Sequence, residues 1–133
     1  MDAPRAVHVA IAAQDDGAVA GHAGKARRWL VYDCVPGAPL PAPRAVALAP
    51  DQVFHHFHDD GPHPLDGVDV VVAGSAGDGF LRHMARRGTE VLLTGETEPL
   101  RALERILAGE ALPDRRFDPT TVLCKLRDLF SRH

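Results

Sequence analysis

Apolar and polar positions along the chain fall into short runs of two kinds. Ala6 to Ala13 is a stretch of small and β-branched apolar residues that stops at the turn signal Gln14-Asp15-Asp16-Gly17, which predicts a buried strand. Trp29 to Val35 predicts a second strand, with Trp29, Val31 and Val35 on one face and Leu30, Tyr32 and Cys34 on the other, apolar except at Asp33. The proline-rich stretch from Val35 to Pro43 cannot carry a strand ladder, because proline has no amide donor. It reads as the connection to a third strand, Arg44 to Leu48. Pro50 to Phe57 predicts a short helix, and His55 to Pro64 an exposed loop.

From there the period changes. Val68 to Ala73 is a continuous apolar run of strand length, followed by Gly74-Ser75-Ala76-Gly77-Asp78-Gly79. Phe80, Leu81, Met84 and Ala85 then recur at helical spacing, with Arg82, His83, Arg86 and Arg87 on the opposite face and Gly88 as a stop. Glu90 to Thr94 predicts another strand, and Thr97 to Leu107 another helix, with Leu100, Leu103, Ile106 and Leu107 on its apolar face. Strands alternating with helices imply parallel pairing through right-handed crossovers, whereas the first three strands imply an antiparallel meander. The expected fold class is α/β, a mixed five-stranded sheet flanked by helices. Ligands in such sheets sit outside the carboxyl ends of the parallel strands, where both glycine tracts fall. Beyond Pro113, a helix starting at Asp118-Pro119 would carry Val122, Leu123, Leu126, Leu129 and Phe130 as a stripe.

Composition narrows the partners. The chain has 133 residues, 45% of them hydrophobic, and a net charge of −3, which fits a single core and supplies no basic field for nucleic acid. It has no apolar run of membrane-spanning length and no basic-then-apolar leader, so the expectation is a cytoplasmic protein away from membranes. Cys34 and Cys124 lack the spacing of a zinc or dithiol site.

The chemistry concentrates in two turns. Gly21-His22-Ala23-Gly24-Lys25 sets an imidazole between glycines, where backbone can approach a bulky ligand closely. Gly74, Ser75, Gly77 and Gly79 precede a helix whose first amides favour an anion. Lys25, Arg27 and Arg28 add positive charge. Separately, His55, His56, His58 and His63 have spacing that could hold a divalent metal such as zinc, nickel or copper.

Three tracts in order carry a resemblance to a known family. Gly21 to Tyr32 is similar to a His-Phe-Gly-Arg-Ala segment leading into an aromatic strand. Leu65 to Gly79 is similar to an aspartate-valine strand with a Gly-Pro-Gly turn, and Arg87 to Val91 precedes a late helix ending near Glu110. Together, over roughly Val7 to Leu112, they resemble the dinitrogenase iron–molybdenum cofactor biosynthesis domain of NifX and the carboxyl end of NifB. Ala23 stands where that family usually has phenylalanine, and Ser75, Ala76 and Asp78 depart from its glycine turn. The resemblance implies a ribonuclease H-like domain over residues 1–112 with an extension at 113–133. It also implies a role in binding, storing or carrying an iron–sulfur or iron–molybdenum cluster or precursor. His22 falls at the histidine that contacts the cluster, and the partners implied are cofactor-assembly or nitrogenase maturation proteins.

Two rivals have distinct signatures. A metal-handling or regulatory module would use the histidine loop and no cluster. A nuclease of this fold would need clustered carboxylates, yet Asp33 is the lone acid well inside an early strand, and neither G-x-S-x-G nor a P-loop is present. The expectation is binding without catalysis.

Overall fold

The structure, a computed structural model, describes residues 6–35, 38–57 and 61–107. Five strands form one sheet in the order β3-β2-β1-β4-β5, from β1 (Val7–Ala13), β2 (Arg28–Cys34), β3 (Arg44–Ala47), β4 (Val70–Ala73) and β5 (Glu90–Leu93). β1 pairs antiparallel with β2, and β2 with β3, while β1–β4 and β4–β5 are parallel. The expected meander and crossovers are both present. Among the described residues two α-helices complete the fold, α1 (Asp78–Arg87) and α2 (Pro99–Leu107).

Alternation along β1 sorts the core into two halves. Val7, Val9 and Ile11 face one side with Tyr32, Cys34, Val70, Val72 and Leu92, and Ala102, Leu103 and Ile106 of α2 cover them. Ala10 and Ala12 face the other side, where their small size leaves room for the fully buried Trp29, Phe54, and the α1 residues Phe80 and Met84. Cys34 belongs to the first half, and burial, with Asp33 beside it, pushes its thiol up to about 11, so it is an inert core residue.

The helices differ from their expected faces by a rotation. On α1, Phe80, His83 and Met84 are buried, while Leu81 is 38% exposed and Ala85 lies on the surface. His83 takes the inward place because Phe54 and Phe57 offer it an aromatic wall, with ring centroids 5.2 and 5.9 Å away. On α2, Pro99, Ala102, Leu103 and Ile106 are buried and Leu100 faces outward. Gly88 ends α1 as expected, in the left-handed conformation at φ +72°, with the Thr89 amide reaching back to Met84 O.

Pro50 to Phe57 is a succession of turns rather than a helix. The amides of Gln52 and Val53 both return to Ala49 O, and those of His56 and Phe57 to Val53 O. Helical bonding stops there because Val53 and Phe54 are drawn inward while His55 and His56 remain on the surface. The expected helix at Asp118 to Phe130, Cys124 and His58 all lie outside the described residues. Among the described residues, no helix is long and apolar enough to cross a membrane.

At the end of the sheet where β1 begins, His8, Asp33 and Arg44 form a polar ladder across β1, β2 and β3. His8 Nδ1 lies 2.7 Å from Asp33 Oδ1, and Arg44 Nε donates to Asp33 Oδ2 at 2.8 Å. The Arg44 bond holds the Asp33 carboxyl below its ordinary value of 3.8; partial burial opposes this, and the His8 bond adds to it. A lowered carboxyl pKa stabilises the fold above the unfolded value and ceases to do so as pH falls through the folded one. Asp33→Asn is therefore expected to lower the melting temperature slightly at pH ~7, by less than about 1 kcal/mol for so exposed a pair. The gap from wild type should close on acidification below the ordinary carboxylate range. A gap that persists there would show that the charge is not what matters.

Candidate functional site

The opposite end of the sheet gathers the loops that follow β1, β4 and β5. After β1 the chain turns at Gly17, where φ is +89°, and returns along the strand ends: Ala20 N donates to Ala12 O at 2.7 Å and Val19 N to Thr97 O at 2.9 Å. It then meets the tract after β4. Gly74 N donates to Ala20 O at 2.9 Å, Ala23 N donates to Ser75 O at 3.0 Å, and His22 and Ser75 form a parallel bridge. The two glycine-containing tracts expected to lie side by side are thus bonded backbone to backbone.

Gly74 makes this approach possible. A Cβ there would lie 3.1 Å from Gly21 Cα and 3.4 Å from the carbonyl oxygens of Ala20 and Gly21. Its work is close packing of two loops. By contrast, a Cβ on Gly21 or Gly77 would meet nothing within 4 Å, so those positions border open space.

His22 stands where two clefts meet. Its side chain is exposed, and it precedes a single 3-10 turn, Ala23–Lys25, without capping it. Its ring is held by Ser75, whose Oγ is 3.1 Å from Nδ1 and donates to Gly21 O at 2.5 Å. On one side is a cleft of about 630 Å³. The start of α1 (Gly77, Gly79), the turn at Gly24 and Lys25, and His55 border it, with Phe54, Phe57 and Phe80 as its apolar floor and Arg82, His83 and Arg86 along α1. On the other side, a cleft of about 660 Å³ is lined by Gly21, Gly74 and Ser75 together with Gln14, Thr94, Glu96 and Thr97. The first is cationic and aromatic. The second presents hydroxyls and a carboxylate that is already engaged, since Glu96 Oε2 accepts the amides of Thr97 and Glu98 at 3.0 and 3.2 Å.

The residues singled out in sequence are therefore divided. His22, Gly24, Lys25, Gly77 and Gly79 border the aromatic cleft, and Gly21, Gly74 and Ser75 the polar one. Arg27 borders neither; it lies with Lys25, His55 and His56 around Pro50 and Val53 on the adjoining surface. Asp78 is the first residue of α1, where its charge suits the positive end of the helix, and Gly77 holds the capping position.

Among its described residues, the histidine loop does not form the set its spacing allows. His63, expected on an exposed loop as a ligand, is 5% exposed and stacks on Phe54 with centroids 4.4 Å apart. Its Nδ1 accepts the Leu65 amide at 3.0 Å, and its Nε2 donates to Gln52 O at 2.7 Å, so both nitrogens are spent on the backbone. It is buried because Phe54 and Phe57 need a flat partner and its polar edges find partners in the turns on either side. His55 and His56 are surface neighbours with centroids 4.9 Å apart. Among the described residues, no group of three or more His, Cys, Asp or Glu side chains is placed to hold a metal ion.

Sequence reasoning missed the cleft's floor and far wall. Phe54 touches Trp29, Phe57, Phe80, His63 and His83, and the Arg87 guanidinium lies 5.8 Å over its ring. Arg87 also pairs with Asp66, whose carboxyl is held below its ordinary value first by the His63 amide and then by Arg87. The available signal was the pair Phe54 and Phe57, three apart with two histidines between them.

Comparison with known proteins adds the following. The profile of the family described as dinitrogenase iron–molybdenum cofactor matches residues 5–109. No curated protein matches the chain in sequence. Among solved structures, the chain is similar to a Methanocaldococcus jannaschii protein provisionally described as a dinitrogenase (9% identity, TM-score 0.63, covering 86% of this chain and 98% of that one). It is similar to a Thermotoga protein provisionally described as a NifB protein (18% identity, TM-score 0.57, covering 84% and 97%). It is also similar to the apo form of the orange protein from Desulfovibrio gigas (20% identity, TM-score 0.56, covering 86% and 100%). At these identities the likeness is one of fold.

Proposed function

The chain belongs to the dinitrogenase iron–molybdenum cofactor family, and from that membership and the geometry of the cleft we propose that it binds a metal–sulfur cluster or its precursor and hands it on during metallocofactor assembly. The observation that carries this reading is the His22–Ser75 bridge, which brings the imidazole to the mouth of a cleft edged by Lys25, Arg82, Arg86 and the first turn of α1. A polyanionic cluster needs a soft or borderline ligand, positive charge around it, and amide donors for its sulfides. His22 supplies the first, the Lys and Arg side chains the second, and the unbonded amides at the start of α1 the third. The aromatic floor of Phe54, Phe57 and Phe80 excludes water from the cluster's underside.

The role is carriage without turnover. A two-metal nuclease site would need grouped carboxylates, and Asp33 is committed to Arg44 and His8 at the far end of the sheet. The reading that rests on the histidine loop alone loses His63 to the core.

The test is an anaerobic titration of the purified apoprotein with reconstituted iron–sulfur cluster, and with molybdate plus sulfide, followed by visible absorption. Saturable charge-transfer bands are expected from at least one of them; tight zinc or nickel binding with no band from either would overturn the reading. Gly77→Ala sharpens the result. Its methyl enters open space, so the fold should lose less than about 1 kcal/mol, while uptake falls because that methyl occupies the place where cargo meets the helix amides. Unchanged uptake would remove the α1 amides from the site.

A further inference from the structure

A serine hydroxyl carries one proton, and that fact decides the state of the His22 ring. Ser75 Oγ lies 2.5 Å from Gly21 O, and a carbonyl oxygen has no proton to give, so the hydroxyl hydrogen points there. At 3.1 Å from the same Oγ stands His22 Nδ1. With its hydrogen already directed to the carbonyl, Oγ can meet Nδ1 only as an acceptor. The proton of that bond therefore belongs to the imidazole.

We propose that Ser75 is a positioning residue for His22: it fixes the neutral ring as the Nδ1–H tautomer and leaves the lone pair on Nε2 for a metal atom. The inference rests on the reading of His22 as the cluster ligand. Nothing among the described residues bonds Nε2. The bond runs as a relay, from Gly21 C=O to the Ser75 hydroxyl to the ring N–H. A carbonyl at the far end of such a relay draws the Nδ1 proton outward and makes Nε2 the better donor. Ring orientation is held by the same contacts, because the backbone of His22 and Ser75 is joined by the Ala23 amide at 3.0 Å from Ser75 O.

His63 is the internal contrast. Its Nδ1 is an acceptor and its Nε2 a donor, which is the opposite tautomer, and both edges are covered by backbone. One histidine is wired shut and the other is wired with a single edge open. Without Ser75, His22 would have no side-chain partner to choose its tautomer. Half-positioned imidazoles bind metal less well, and outer-shell partners of this kind are worth about 10–100-fold in metal affinity.

The test reads the tautomer in the apoprotein and the affinity separately. With nitrogen-labelled histidine at mildly alkaline pH, two-bond proton–nitrogen spectra distinguish a protonated ring nitrogen from a bare one. The His22 signals are identified by their loss in His22→Gln. Wild type is expected to show a protonated Nδ1 and a bare Nε2. Ser75→Ala should move the ring toward the Nε2–H form and weaken uptake of reconstituted iron–sulfur cluster about 10–100-fold, with Ser75→Thr restoring both. A wild-type ring protonated on Nε2, or a Ser75→Ala ring still protonated on Nδ1, would overturn the assignment. A correct tautomer in a chain that takes up no cluster would support the positioning role and overturn the cluster reading. The wrong tautomer in a chain that does take it up would do the reverse.

Discussion

His22→Ala is expected to abolish the charge-transfer bands of a cluster-loaded chain while leaving the melting temperature within the range of a neutral surface change, about ±0.5 kcal/mol. The two halves of that expectation have separate origins. The His22 side chain is exposed, makes no capping bond, and among the described residues is held by the Ser75 hydroxyl, so its removal opens no cavity in either half of the core. Affinity should nevertheless fall by more than the ~10–100-fold that the loss of an outer-shell partner costs, because the atom proposed to meet the metal would be gone. His55→Ala is the matched control. His55 borders the same cleft and is also exposed, but nothing orients its ring toward the α1 end, so a modest loss is expected. Equal losses in the two variants, read in parallel titrations, would mean that the cleft attracts cargo by charge alone.

The second large effect falls on Phe54. Its ring lies at the centre of the aromatic cluster, edge-on to Trp29 at 6.2 Å and to Phe80 at 5.5 Å, with His63 stacked on it at 4.4 Å. Phe54→Ala should cost ~3–5 kcal/mol, since truncating a buried aromatic loses its transfer energy and leaves a cavity. For a chain of this length that lowers the melting temperature by roughly 10 °C or more. Phe54→Leu keeps much of the volume and should recover most of the loss. Cluster uptake should fall in Phe54→Ala even well below its melting temperature, because the same ring is the cleft's floor and the support of His63 and His83. A Phe54→Ala chain that melts near wild type would show that the turns from 50 to 57 carry little of the core.

These two residues also show what the sequence could disclose. The neighbourhood of His22 was legible: a histidine between glycines after one strand, and a glycine tract after another, can be placed together once the strands are known to run parallel. The pairing directions followed from which apolar runs were separated by turns and which by a helix, while the order of the strands came from the structure. Phe54 was not legible as a hub. Its segment has the length of a short helix, and nothing local reveals that Val53 and Phe54 turn inward between β3 and α1. His63 and His83 were misplaced for the same reason. A histidine among charged or proline-flanked neighbours reads as surface, and only the aromatic wall contributed by distant residues makes burial favourable. Ser75 was visible as a departure from a glycine turn, but its bond to a residue 53 positions away depends on the loops having met.

That meeting has a consequence for when the proposed cargo could be received. The cleft takes His22 and Lys25 from the hairpin half of the chain, Phe54 from the turns after β3, and Gly77 and Arg82 from the parallel half. On the proposed reading, no one of these segments would complete the site while the others are unfolded, so loading would itself report complete folding. Linkage gives the converse: the proposed cargo, at a hundred times its dissociation constant, would stabilise the native chain by about 2.7 kcal/mol, and its release would remove that stabilisation.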